Sequence, residues 1–147
     1  KKMGARIEYL SNSIKVSKKN KLKGMVVNCS NIPDAAMTLA ILALFAEGST
    51  TLKSIGSWRV KETDRILAMQ TELTKLGASV KSSKNSLTIK PPKIINNNIT
   101  INTYDDHRMA MCFSLICLTN KTIIINDPGC TNKTYPNFFK DLGSILS

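Results

Sequence analysis

Residues of this chain return at a fixed distance. Gly4-Ala5 comes back as Gly77-Ala78, 73 positions on, while Asp34 comes back as Asp106, Met37 as Met109 and Lys61 as Lys133, each 72 positions on. The predicted elements return in the same order. Alternation predicts strands over 5–10 and 13–17 around a turn at Asn12, and a third over 24–29. A helix entered at Pro33, where a missing N–H is tolerated, runs to Glu47-Gly48. A strand over 50–55 and a second helix close the round. The next round predicts strands over 78–81, 86–90 and 99–102, with Pro91-Pro92 ending the second of them. A helix over 106–118, a strand over 122–126 and a helix over 135–146 follow. Self-similarity at this period, built of whole strand–strand–strand–helix–strand–helix units, dictates a duplicated α/β unit. The nearly all-apolar helices over 35–46 and 109–118 suit burial on every side, with sheets outside and helices inside.

The second helix of the first unit opens on Trp58-Arg59-Val60-Lys61-Glu62-Thr63-Asp64-Arg65. Ile66, Met69, Leu73 and Leu76 then recur at helical spacing, and Gly77 stops the segment. Carboxylates suit a helix start, because the positive end of the dipole stabilises them. Lys61 and Arg65, four apart and so on one face, do not. An anion bound by the free N–H groups there resolves the conflict. A solvated face on which Glu62 and Asp64 neutralise the cations resolves it too, and at this stretch alone both readings stand.

The pattern recurs. His107-Arg108 follows Asp106, and Lys133 lies in Gly129-Cys130-Thr131-Asn132-Lys133-Thr134 ahead of the last helix. That loop lacks the spacing of a P-loop. Cations at three repeat-related helix starts favour anion binding, and arginine suits bidentate capture of phosphate or carboxylate. Asp34 and Asp106 each open a buried helix, where the dipole favours the ionised form. Each either caps its helix or accepts a proton or hydrogen bond from a substrate hydroxyl.

A net charge of +11 asks for a phosphorylated or polyanionic partner, or for an acidic remainder elsewhere. Lysines 1, 2, 15, 18, 19, 21 and 23 are expected to line a solvated strand edge. Aromatics make up only 5%, and none interleaves with that basic run, so a stacking platform for nucleic acid is poorly supported. No apolar run reaches the length of a membrane span, and no signal peptide opens the chain. Cys29, Cys112, Cys117 and Cys130 lack paired zinc spacing and read as reduced thiols of a cytoplasmic protein. With His107 the one histidine, neither metal nor cofactor is expected. The start at Lys1-Lys2-Met3-Gly4, inside a strand-forming unit, reads as that of a fragment.

Four stretches resemble, in order and from end to end, the 5-enolpyruvylshikimate-3-phosphate synthase family. They are Asn31-Ile32-Pro33-Asp34-Ala35-Ala36-Met37, the charged stretch 58–65, Tyr104-Asp105-Asp106-His107-Arg108-Met109-Ala110-Met111, and Asp127-Pro128-Gly129-Cys130-Thr131-Asn132-Lys133-Thr134. The resemblance implies that 1–147 is part of a C-terminal domain, an inside-out α/β barrel of βββαβα-type units. Two of three repeats would be present, about 1–73 and 74–147. It implies transfer of the enolpyruvyl group of phosphoenolpyruvate to the 5-hydroxyl of shikimate 3-phosphate, on the route to chorismate. That reaction is glyphosate's target, and the family's enzyme is expected to be monomeric when complete.

Carried over residue by residue, the resemblance makes Asp34 the group that contacts and deprotonates the 5-hydroxyl. Lys61 would hold shikimate 3-phosphate and share proton transfer with Glu62, the acid that protonates the methylene carbon and later takes a proton back. Arg65, Arg108 and Lys133 would hold phosphoenolpyruvate, with His107 beside them. Ser57 stands where many members carry Asn and offers a shorter hydroxyl to shikimate 3-phosphate. The addition–elimination passes through an adduct bearing phosphate and carboxylate, which clustered cations stabilise. The family's N-terminal domain would supply the opposite wall of the cleft, so this chain alone is expected to be inactive. Two other readings are weighed. A UDP-N-acetylglucosamine enolpyruvyl transferase-like enzyme is disfavoured by Lys61-Glu62-Thr63-Asp64-Arg65, and a basic nucleic-acid-binding α/β repeat module would bind polyanions with a steep salt dependence.

Overall fold

Ala35–Ala43 forms a helix, α1, with no charged side chain, and Ala36, Met37, Ala40, Ile41 and Ala43 of it are buried. An element of this kind has to be enclosed, and the rest of the chain is wrapped around it. The computed structural model describes residues 1–17 and 20–146. Before α1 come the strands β1 (Arg6–Tyr9), β2 (Ile14–Ser17), β3 (Leu22–Lys23) and β4 (Val26–Asn28). After it come β5 (Ala46–Glu47), β6 (Thr50–Lys53), a 3-10 turn (Gly56–Val60) and helix α2 (Arg65–Lys75). The second half supplies β7 (Ser79–Ser82), β8 (Ser86–Lys90), β9 (Ile99–Asn102) and α3 (His107–Ser114), which tightens into a 3-10 turn (Leu115–Leu118). Strand β10 (Ile123–Asn126), a 3-10 turn (Pro128–Lys133) and α4 (Phe138–Ser144) end it.

Strand pairing recurs with the element order. The hairpin β1–β2 is antiparallel, as is β7–β8. β4 pairs with β6 in parallel, as β9 does with β10. The halves join where β6 takes β8 as an antiparallel neighbour, completing a four-stranded sheet in the order β4-β6-β8-β7. At that seam Leu52 lies opposite Leu87 and Thr50 opposite Ile89, all fully buried on the face turned to α1 and α2. α1 also packs on α3, whose other neighbours include the 3-10 turn Pro128–Lys133, β9 and β10. The helices thus share one apolar core with the inner sheet faces. Among the described residues the strands form four separate sheets and do not themselves close a barrel.

Several boundaries differ from the sequence reading for identifiable reasons. α1 stops at Ala43 rather than at Glu47-Gly48, because Ala46–Glu47 pairs in parallel with Leu22–Lys23. The charged stretch is not a helix start throughout. Gly56–Val60 folds as a 3-10 turn around the buried Trp58, Lys61 is extended, and α2 begins at Arg65. α3 gives way to 3-10 geometry after Ser114. The last helix begins at Phe138 rather than Tyr135, so Lys133 ends a 3-10 turn and does not sit at a helix start. Of the basic residues near the beginning, Lys15, Lys21 and Lys23 are exposed as expected, while lysines 18 and 19 lie outside the described residues. All four cysteines are free thiols. No helix of the described residues is long and apolar enough to cross a membrane.

Candidate active site

Three connections converge on one cleft: the turn from β4 to α1, the segment leading into α2, and the turn from β9 to α3. The first is pinned by Trp58, whose buried indole Nε1 donates to the carbonyl of Pro33 at 2.8 Å. The second is pinned by its own charges. Arg59 Nη1 meets Asp64 Oδ2 at 2.6 Å, while its Nε and Nη2 donate to the carbonyls of Lys84 and Ser83 in the β7–β8 turn. Asp64 Oδ1 caps α2 by accepting from the Leu67 N–H at 3.1 Å. Two of the five charges in this stretch are therefore structural.

Arg65 is the hub. Its side chain is 1% exposed, and its guanidinium grips Asp106 with Nε at 2.7 Å and Nη2 at 3.2 Å. It also reaches Asp34 Oδ1 at 3.0 Å and Glu62 Oε2 at 2.8 Å. Burial works to lower its pKa, but the bonds and charges of Asp106, Glu62 and Asp34 more than offset this and raise it. Arg65 is therefore not an exposed cation free to meet a ligand. The reason lies in Asp106, which is fully buried and needs a cation beside it.

The two repeat-related aspartates have diverged. Asp106 gives both oxygens to Arg65 and also caps α3, accepting from the Arg108 N–H at 2.9 Å. Asp34 makes no capping bond, and its side chain is 40% exposed. Its oxygens touch Arg65 and, at 3.0 Å, Arg108 Nη2. Of the pair, Asp34 alone faces the cleft.

Glu62 stands among cations. Beyond Arg65, its Oε1 lies 3.8 Å from Lys133 Nζ and 3.8 Å from His107 Nδ1. His107 is buried, and its Nδ1 has no hydrogen-bond partner among the described residues. Burial pushes its pKa down, assisted by Arg108 and Lys133 and resisted by Asp106 and Glu62, which favours the neutral ring. Lys61 is exposed and makes no ion pair among the described residues. Asp34, Lys61, Glu62, Arg65, His107 and Arg108 line one cleft, and Lys133 approaches Glu62 from its own turn. Ser57 does not line it; it is exposed on the 3-10 turn beside Trp58. Four cations thus stand around the two cleft carboxylates, Asp34 and Glu62, with the His107 imidazole beside them and the buried Asp106 behind. The cleft suits an anionic ligand, with carboxylates placed for proton transfer.

The turn that delivers Asp106 was not foreseen. Tyr104 (φ 57°) and Asp105 (φ 54°) both lie in the left-handed region, and the Thr103 carbonyl accepts from the Asp106 N–H at 2.9 Å. Each such residue costs on the order of 1–3 kcal/mol, and a bulky tyrosine is a poor occupant. Nothing in the local sequence signals it.

A family model described as EPSP synthase (3-phosphoshikimate 1-carboxyvinyltransferase) matches residues 1–142. Proteins named 3-phosphoshikimate 1-carboxyvinyltransferase from Proteus mirabilis and Thiobacillus denitrificans are 54% and 52% identical to this chain. The matches cover 98% and 97% of it and 33% and 34% of those proteins. An EPSP synthase structure from Acinetobacter baumannii aligns with a TM-score of 0.80 at 28% identity, over 97% of this chain and 36% of that one. The enolpyruvyl transferase NikO from Streptomyces tendae, with a TM-score of 0.76 at 18% identity, shares the fold over 97% of this chain and 33% of its own. The chain spans about a third of the length of the curated relatives it matches.

Proposed function

Since this chain belongs to the EPSP synthase family, we propose that it forms one wall of the active site of a 3-phosphoshikimate 1-carboxyvinyltransferase. The reaction moves the enolpyruvyl group of phosphoenolpyruvate to the 5-hydroxyl of shikimate 3-phosphate and releases phosphate. In this reading Asp34, partly exposed in the cleft, takes the proton of the 5-hydroxyl as that oxygen attacks C2 of phosphoenolpyruvate. Glu62 gives a proton to the methylene carbon, so that a tetrahedral adduct forms. A proton then returns from the new methyl group to Glu62, with Lys61 assisting, while the C2–O bond to phosphate breaks.

Lys61 meets shikimate 3-phosphate; Arg108 and Lys133 meet the phosphate and carboxylate of phosphoenolpyruvate. Arg65 reaches that ligand only by exchanging one of its own carboxylates for the ligand's. Its standing contribution is to hold Asp34 and Glu62 in one orientation. Ser57, off the cleft, serves shikimate 3-phosphate at most from the rim. The whole enzyme works as a cytoplasmic monomer, its second wall coming from an N-terminal domain, and uses neither metal nor cofactor.

The observation that carries the reading is the position of Glu62. Its side chain is 31% exposed, in one cleft with Asp34, and its other oxygen lies 3.8 Å from both Lys133 and His107. A carboxylate so placed can exchange a proton with a bound ligand. The test is a chimera joining this chain to the remaining part of the Proteus mirabilis relative, followed by phosphate release. Glu62→Gln is expected to cut kcat by about 10²–10⁴-fold with little change in KM. Turnover equal to the parent chimera would remove Glu62 from the mechanism.

A further inference from the structure

Arg65 and Glu72 lie seven residues apart on α2 and so on one face of it. Both are buried, and both grip the same short connection. Arg65 takes Asp106. Glu72 Oε1 accepts from the Tyr104 hydroxyl at 2.7 Å, and its Oε2 accepts from the Asn102 N–H at 3.2 Å. Lys75 neutralises the carboxylate, with Nζ at 2.7 Å and 2.9 Å from its two oxygens. Between these two grips lies the left-handed pair Tyr104 and Asp105. We propose that Glu72 is a positioning residue: its bonds to Tyr104 and Asn102 hold the left-handed turn that sets Asp106 against Arg65 and brings Arg108 to the cleft.

The chemistry supports that role over plain stability. A tyrosine does not hold a left-handed backbone by preference, so an outside bond has to select it. Burial and the Glu72 carboxylate push the Tyr104 hydroxyl up to about 12, so it remains a donor throughout the working pH range. A glutamine at 72 replaces the carboxylate only in part. Its one acceptor oxygen serves the Asn102 N–H or the Tyr104 hydroxyl but not both, its amide N–H₂ can meet the hydroxyl only as a donor, and the ion pair with Lys75 is lost. The other turn, carrying Asp34, has no such device and needs none. Pro33 stiffens it, Trp58 pins it, and Ile32, which stands where the repeat has Tyr104, is not among the residues with positive φ.

The test has two arms, one independent of the transferase reading. In the 147-residue chain, the Arg108 side-chain Nε–H resonance is followed by NMR during titration with inorganic phosphate. Glu72→Gln is expected to weaken that response by about tenfold in Kd. Adding Tyr104→Asn should restore at least half of the loss in free energy, because asparagine tolerates the left-handed region without the bond. In the chimera, the same substitutions should raise and then lower KM for phosphoenolpyruvate, with KM for shikimate 3-phosphate unmoved. A parent chimera that releases no phosphate would sink the transferase reading while the Arg108 titration still decides Glu72. No Arg108 response in the parent chain, equal responses in parent and Glu72→Gln, or no rescue by Tyr104→Asn would each overturn the positioning role.

Discussion

Asp106 is a fully buried carboxylate whose charge is met by one guanidinium, and this sets what Arg65 is worth. Arg65→Ala should destabilise the fold by about 3–5 kcal/mol, the cost of leaving one member of a buried pair charged and alone. The double change Arg65→Met with Asp106→Leu should recover most of it, since both buried charges then vanish together. Urea midpoints at unchanged m-value measure both. A double variant as unstable as the single one would show that the pair is not the source of the loss. At this scale the motifs come together in space. Asp34, Lys61, Glu62, Arg65, His107 and Arg108 do meet in one cleft. What the motifs could not reveal is which charges are consumed. Arg65 is spent on an aspartate 41 positions away, and Glu72 on a tyrosine 32 positions away, and such pairings exist only once the chain has folded.

Among the elements, the recurrence of residues at 72–73 positions foretold a recurrence of strand pairing, and long periodic segments were legible. The two-residue strands β3 and β5 were not, being too short to show alternation. The start of α2 was misplaced because a 3-10 turn rich in charge looks, residue by residue, like a helix terminus. Only the burial of Trp58 against Pro33 sets them apart. The repeat also makes a paired prediction. Leu52 in β6 is fully buried under β8, whereas Ile125, which holds the same third, inward-facing position in β10, is only half-buried. Leu52→Ala should cost about 2–5 kcal/mol. Ile125→Ala should cost clearly less, roughly in proportion to the smaller area it buries. Equal losses by thermal or chemical unfolding would mean that the β6–β8 seam contributes no more than a free sheet edge.

For the molecule entire, a chain of net charge +11 carries a cleft in which Lys61, Arg108 and Lys133 face solvent while the carboxylates of Asp34 and Glu62 sit among them. Composition suggested an anionic partner but not its size or where it binds. In the proposed reading, resting on the match to proteins three times as long, that partner is two small phosphorylated substrates held between this wall and another. Transfer requires both substrates in attack geometry, and orientation alone can supply roughly 7–11 kcal/mol of the barrier. In that reading a single wall would leave the substrates half held and the cleft wet. It should still bind small dianions weakly, and high salt should abolish that binding. The decisive measurement is phosphate release from phosphoenolpyruvate and shikimate 3-phosphate by the purified 147-residue chain, alone and with the N-terminal two-thirds of the Proteus mirabilis relative added in trans. No turnover alone and turnover on addition is the predicted result. Turnover by the isolated chain near that of the intact relative would contradict the two-walled account.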